Sequence, residues 1–412
     1  MIPFSIKVVI FKIWQFLLKI STPLLFFQQP QLFTGPGSSL KLCEHIAGTG
    51  VKKLLIVTDA MLVKIGLIKP MQDKLAQLGV AFVVYDGVLP NPTIEQIENG
   101  LAILKKEGCT AILAIGGGSS IDAAKVIAAR ATNPYKIVHM SGLMRVAFKL
   151  LPMYAVPTTA GTGSEVTIAA VVSDPSTTRK FAIMSPRLVP LAAALDGALM
   201  TGLPAPITAA TGMDALTHAV EAYISRNQTR MTDQEALEAT SLIMKNLTTA
   251  VKNGSNVEAR QNMALASFKA GVAFTTAGVG YVHAIAHNFG AYYHVPHGLA
   301  NAIILPRVLD FSKPNCTARL AKLAEVSGLK KGNESDAELA DRFIAQVRAM
   351  NAEYGIPTQV DKLKESDIPE ITGKALFEAH LYYAVPRYMD RPECEAFIRQ
   401  MLPSGPAMAK AA

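Results

Sequence analysis

Between residues 31 and 200, short apolar runs alternate with helical stretches, and this alternation constrains the fold more than any other feature of the chain. Lys53–Thr58 (KLLIVT), Val80–Tyr85 (VAFVVY) and Ala111–Ile115 (AILAI) read as buried parallel strands. Pro70–Leu78 and Thr93–Glu107, lying between them, carry helical periodicity. Met153–Val156, Ile168–Val172 and Ala192–Leu195 are expected to add further strands. Parallel strands need crossover connections, so the order predicts a doubly wound, Rossmann-like parallel sheet covered by helices. After Asp196 the character changes. Ile207–Ser225, Asp233–Val251 and Val257–Thr275 read as helices rich in Ala, Leu and Met, with Gly202 and Pro204 punctuating the boundary. The reading is an extension (1–30), an α/β domain (31–200) and an all-α helical domain (201–412), with a ligand cleft between the last two.

Composition narrows the function classes. Forty basic residues against 32 acidic ones give a net charge of +8, spread as pairs such as Lys52-Lys53 and Lys330-Lys331 rather than blocks. That pattern excludes a nucleic-acid partner and suits a groove for an anionic cofactor. Cys43, Cys109, Cys316 and Cys394 lie far apart with no CxxC, which argues against a disulfide framework or thiolate metal site. A reducing, cytoplasmic compartment is expected.

The first residues differ in kind. Residues 4–27 are strongly apolar but interrupted by Lys7, Lys12 and Lys19, and no acidic residue precedes Glu44. Lysines within the run disfavour a membrane span, and Ile20–Gln29 offers no clear small-residue cleavage site. On a helical wheel Ser5, Lys12, Gln15 and Lys19 share one sector, opposite Ile6, Ile10, Ile13, Leu17 and Ile20. Two readings stand level: a basic amphipathic helix giving peripheral contact with an anionic membrane, or a helix packed on its own domain or a sister subunit.

The glycine run Gly116-Gly117-Gly118 and Ser119-Ser120 follows the strand AILAI and opens a helix. Free N–H groups at a helix start attract phosphate, and glycines admit close approach; a tight serine-capped turn is the plainer alternative. A second loop, Val156-Pro157-Thr158-Thr159-Ala160-Gly161-Thr162-Gly163-Ser164-Glu165, offers hydroxyls to the same ligand. Asp59 ends the strand LLIVT, where a carboxylate could accept hydrogen bonds from an adenine ribose and would repel a 2′-phosphate. It reads as favouring NAD, or as an ordinary turn residue.

Five of the eight histidines fall between residues 218 and 297. Asp214 and His218 stand four apart, as do His283 and His287, so each pair shares one helix face. His297 follows Pro296, where a loop enters another helix. One carboxylate and three imidazoles, from Asp214, His218, His283 and His297, suit Fe²⁺ or Zn²⁺. His294 reads as structural. Glu221, three residues beyond His218, stands either beside a ligand or on an exposed face.

Together the stretches LLIVTD, YDGVLPNPT, AIGGGSSIDAAK, VPTTAGTGSEVT, ATGMDALTHAVEAY and VHAIAHNFGAYYHVPHGLANAIILP closely resemble the iron-containing (group III) alcohol dehydrogenase family, over roughly residues 30–370. The resemblance implies an NAD-binding domain, a helical domain and one divalent ion bound by Asp214, His218, His283 and His297. It makes His287 the additional active-site histidine, relaying a proton while hydride passes between a primary alcohol or diol and NAD. It carries cofactor contacts to Asp59, Asn91, Gly117, Gly118, Ser119, Asp122, Thr158, Thr159, Thr162, Thr167 and Lys180. It also implies a small-molecule alcohol or aldehyde substrate and a homodimer or higher homo-oligomer. A metal- and NAD-dependent lyase resembling dehydroquinate synthase is the alternative. Val385-Pro386-Arg387 departs from the family's Asn-Pro-Arg, as does the extension at residues 1–27.

Overall fold

A computed structural model describes residues 3–21, 28–176 and 179–403. Residues 22–27, the end of the expected N-terminal apolar run, lie outside them. The chain runs through α1 (Phe4–Ser21), β1 (Gln31–Thr34), α2 (Ser38–Gly48), β2 (Lys53–Val57), α3 (Ala60–Lys64), α4 (Lys69–Gln77), β3 (Ala81–Tyr85), α5 (Ile94–Lys106), β4 (Ala111–Gly116) and α6 (Gly118–Thr132). Strands β5 (Gly142–Leu143), β6 (Met153–Pro157), β7 (Ala169–Asp174), β8 (Arg179–Met184) and β9 (Ala192–Leu195) follow. The helical part comprises α7 (Ala205–Ile224), α8 (Arg230–Lys252), α9 (Val257–Ala277), α10 (Tyr281–Tyr293), α11 (His297–Val326), α12 (Asp336–Glu353), α13 (Ile368–Tyr382) and α14 (Arg391–Arg399).

Six strands form an all-parallel sheet in the order β1-β9-β6-β4-β2-β3. Every residue of β4 is buried, as expected of a central strand covered on both faces. From β2 the chain steps outward to β3, then crosses back to β4 on the other side. The order therefore reverses between β2 and β4, and the crevice beyond their C-terminal ends is where open α/β sheets bind ligands. The loops carrying Asp59 and Gly117 leave those two strands.

Ile168–Val172 departs from the parallel reading. It contributes to β7, which pairs antiparallel with β8 in a separate sheet ordered β5-β8-β7. The reason is one-sided burial: Ala170 and Val172 are buried while Ala169 and Val171 are half-exposed, the alternation of an antiparallel strand with one solvated face. Strand β1, not expected from the sequence, is a four-residue edge strand with exposed ends.

Helix α1 packs on the helical part of the chain, and its polar sector is divided: Ser5 and Lys12 are exposed, while Gln15 and Lys19 turn toward the protein. Phe4, Val8 and Phe11 meet the core, and Gln15 is buried. Trp14 Nε1 donates to the Leu381 carbonyl, Gln15 Nε2 to those of His380 and Leu381, and Lys19 Nζ to those of Arg226 and Gln228. The last carbonyls of a helix lack intrahelical donors. The end of α13 takes donors from α1, which turns Gln15 inward, while Lys19 turns toward the carbonyls of the α7–α8 connection. Among the described residues no helix is long and apolar enough to cross a membrane.

Candidate active site

Helix periodicity brings Asp214 and His218 to one face of α7 and His283 to α10, and His297 opens α11. Their ligand atoms lie within 4.8 Å of one another. An ion with bonds of about 2.1 Å separates opposite ligands by at most about 4.2 Å, so a small side-chain contraction closes the site. The close approach of α11 to α7 depends on Gly298: a Cβ there would stand 2.3 Å from the Ala210 carbonyl oxygen and 3.2 Å from Asp214 Cβ.

The hydrogen bonds select which imidazole nitrogens face inward. His218 Nδ1 pairs with the Gly161 carbonyl at 3.2 Å, and His283 Nδ1 with Glu221 Oε2 at 2.7 Å. Both partners are acceptors, so each Nδ1 carries the proton and each Nε2 presents a lone pair. Glu221 is buried and also accepts from the Gly280 and Val282 amides at the start of α10. It stands beside a ligand and not on an exposed face. Burial pushes its carboxyl up to about 7 despite those donors. Burial likewise lowers His218 and His283, and takes His297 down to about 4, which keeps the imidazoles neutral as ligands require.

Asn301, one turn beyond His297, was not singled out from sequence, although the i,i+4 spacing was there to be seen. Its Nδ2 donates to Asp214 Oδ1 at 2.7 Å and lies 3.2 Å from Nε2 of both His283 and His297, while its Oδ1 is buried without a partner. One carboxylate oxygen and two imidazole nitrogens converge on this single amide NH₂ group, an arrangement suited to a centre of positive charge. The oxygen-plus-nitrogen donor set fits Fe²⁺ or Zn²⁺.

His287 lies beside this cluster and outside it. Its ring stacks 5.4 Å from that of His297, and its Nδ1 pairs with Glu378 Oε1 at 2.7 Å. Tyr383 donates to the same carboxylate oxygen. Burial works against both charges, but their attraction prevails, holding His287 above its ordinary range and Glu378 below. Glu378 and Tyr383 carry no spacing signal that would have revealed them. His294 ends α10 in the left-handed region at φ 56°.

The two glycine loops meet at the sheet's crevice. A Cβ at Gly117 would touch Thr159 at 3.4 Å, and one at Gly118 would crowd Thr162 at 2.8 Å. The Thr158 amide donates to the Gly116 carbonyl. Asn91, in the left-handed region at φ 59°, sends its amide to Ser119 Oγ, and its Oδ1 accepts from Lys180 Nζ at 2.5 Å. Asp59 caps α3 through one oxygen, accepting from the Met61 and Leu62 amides. Asp122 and Thr167 are engaged within the protein: Asp122 accepts from Ser164 Oγ and the Val171 amide, and Thr167 Oγ1 accepts from the buried Lys125. The His218–Gly161 contact joins the Asp–His cluster to the Thr158–Glu165 loop.

Comparison with known proteins covers nearly the whole chain. Residues 29–197 match the family model described as iron-containing alcohol dehydrogenase, and residues 208–402 the one described as Fe-containing alcohol dehydrogenase family, C-terminal. A 1,3-propanediol dehydrogenase of Citrobacter freundii is 41% identical over 372 residues, 89% of this chain and 96% of the relative. An NAD-dependent methanol dehydrogenase of Bacillus methanolicus is 37% identical over 379 residues, 92% and 99% of the two chains. A crystal structure of 1,3-propanediol oxidoreductase superposes with a TM-score of 0.88 at 39% identity, covering 92% of this chain and 99% of the other. The lyase alternative is not favoured, and the similarity extends past residue 370 to 402. The chain belongs to the iron-containing alcohol dehydrogenase family, and its chemistry is that of an alcohol dehydrogenase and aldehyde reductase.

Proposed function

We propose that this chain transfers hydride reversibly between a primary alcohol or diol and NAD(H), using one divalent ion held by Asp214, His218, His283 and His297. The observation that carries the reading is the four-ligand cluster joined to the glycine loops at the sheet's crevice. The ion supplies a Lewis acid that lowers an alcohol's pKa, and NAD⁺ supplies the hydride acceptor. Fe²⁺ is the expected ion, with Zn²⁺ the alternative.

The chain's own residues do the rest. Gly117, Gly118 and Ser119 offer backbone N–H groups at the start of α6 to the pyrophosphate. Thr158, Thr159 and Thr162 face the same loop, and Lys180, placed by Asn91, adds positive charge beside it. Asp59 retains one carboxylate oxygen for a ribose, a charge that disfavours NADP. Asp122 and Thr167 act by shaping the loop that carries Ser164 and Glu165. His287, oriented by Glu378, holds a proton at Nε2 and exchanges it with solvent at its half-exposed edge.

The same reading includes a homodimer or higher homo-oligomer, for which the open edge of β1 offers a pairing surface. It also includes a cytoplasmic setting, consistent with four buried, unpaired cysteines, and peripheral membrane contact through the N-terminal segment. The test is NAD⁺ reduction across a panel of alcohols and diols, on metal-stripped protein reconstituted with each ion. NADH formed only with ion and alcohol together supports the reading. Equal turnover by the His283→Ala variant with stoichiometric ion would overturn the ligand assignment.

A further inference from the structure

Helix α1 seats Phe4, Val8 and Phe11 on the core and leaves a second, larger apolar face open. At 100° per residue, Phe16, Val9, Ile13, Ile6, Leu17 and Ile10 form one continuous arc of about 120°. Each of these side chains is 51–61% exposed. On α13, the helix against which α1 docks, Phe377 and Tyr382 are also exposed, at 65% and 54%. A contiguous exposed apolar patch of this kind marks an interaction surface. The opposite side of the helix is tied down by the Gln15 and Lys19 hydrogen bonds, and Trp14 at its edge donates to the Leu381 carbonyl.

The charges flank the arc. Lys12 borders it on one side, and Trp14 and Lys7 on the other; both lysines are exposed. No acidic residue precedes Glu44. We infer that α1 lies in the plane of an anionic lipid surface, with its outward apolar arc among the acyl chains and Lys7 and Lys12 at the headgroups. Lysines on both borders can direct their ammonium groups up to phosphate level while their stems stay apolar. Trp14 sits at the same border, a position indole favours at lipid–water boundaries. A second copy of the chain is the poorer occupant. Pairing α1 against α1 would set lysines against lysines, with no carboxylate on the helix to meet them. The inference specifies the membrane contact proposed above, and vesicle binding is measured separately from turnover, so either can fail alone.

The experiment is sedimentation of the full chain with sucrose-loaded vesicles of phosphatidylcholine containing roughly one-third phosphatidylglycerol, and with phosphatidylcholine alone. Binding to the anionic vesicles is expected, with a blue shift in the emission of Trp14, the one tryptophan in the chain. Ile10→Glu with Ile13→Glu should abolish binding while leaving NAD⁺ reduction intact, since both side chains are exposed in the protein alone. Lys7→Gln with Lys12→Gln should weaken it about thirty-fold, roughly five-fold for each lysine. The inference is overturned if wild-type protein stays in the supernatant with anionic vesicles. It is equally overturned if the double glutamate variant sediments as wild type does. A third refuting outcome is a dimer without vesicle affinity, converted to monomer by the glutamates; the arc would then be a subunit interface.

Discussion

Replacing Glu221 by Gln tests whether the buried carboxylate beside His283 sets that ligand's protonation. In the native structure three donors converge on it, from His283 Nδ1 and the Gly280 and Val282 amides, at 2.7, 2.9 and 2.8 Å. A glutamine keeps the volume but brings one acceptor and one donor. If its NH₂ faces His283, the imidazole must accept at Nδ1, which moves the proton to Nε2 and removes the ligating lone pair. If its oxygen faces His283 and the Gly280 amide, the NH₂ meets the Val282 amide, leaving buried donors unpaired at about 1–3 kcal/mol. Rotation offers no relief, because Gly280 already lies so close that a Cβ there would stand 2.8 Å from Glu221 Oε1. Ion affinity should fall about 10- to 100-fold, equivalent to about 1.4–2.8 kcal/mol. The assay is titration of metal-stripped protein with Zn²⁺ against a chromophoric chelator, alongside circular dichroism. The ring-nitrogen NMR shifts of His283 report the tautomer. A folded variant whose dissociation constant stays within about two-fold of wild type, with His283 still protonated at Nδ1, would refute the reasoning.

Three further outcomes are expected. Gly298→Ala should separate α7 from α11, costing about 1–3 kcal/mol and weakening ion binding, as read by a denaturant melt and the same titration. Glu165 is buried, and burial raises its carboxyl from 4.5 to about 7. The folded chain keeps a proton there that the unfolded chain releases, so Glu165 favours folding most at low pH and loses that contribution as pH rises through 7. Glu165→Gln should therefore gain up to about 3 kcal/mol relative to wild type at pH 8 compared with pH 4, seen as a pH-dependent difference in melting temperature; equal differences at both pH values would contradict it. Stripping the ion should lower the melting temperature reversibly, since a ligand at about 100 times its dissociation constant adds about 2.7 kcal/mol. Full recovery on adding back one equivalent, and none in His218→Ala, checks that the ion sits at the four-residue cluster.

What could be read along the chain was whatever repeats over a few residues. The i,i+4 spacings of Asp214 with His218 and of His283 with His287 announce a shared helix face, and those pairs do share α7 and α10. The fully apolar run AILAI announces a strand covered on both sides, and β4 is one. Local periodicity reflects backbone geometry, so it survives without knowledge of the fold. The partners of those residues were not legible. Glu221 meets His283 from 62 positions away, and Glu378 meets His287 from 91. Nothing local marks such pairs, because packing chooses them. Ile168–Val172 has the composition of a strand, but its pairing with β8 depends on which face the rest of the chain leaves wet. Helix α1 makes the point most plainly. Its wheel gives two opposed faces, yet the carbonyls ending α13 draw Gln15 inward beside Phe4, Val8 and Phe11, and the arc from Phe16 to Ile10 remains open.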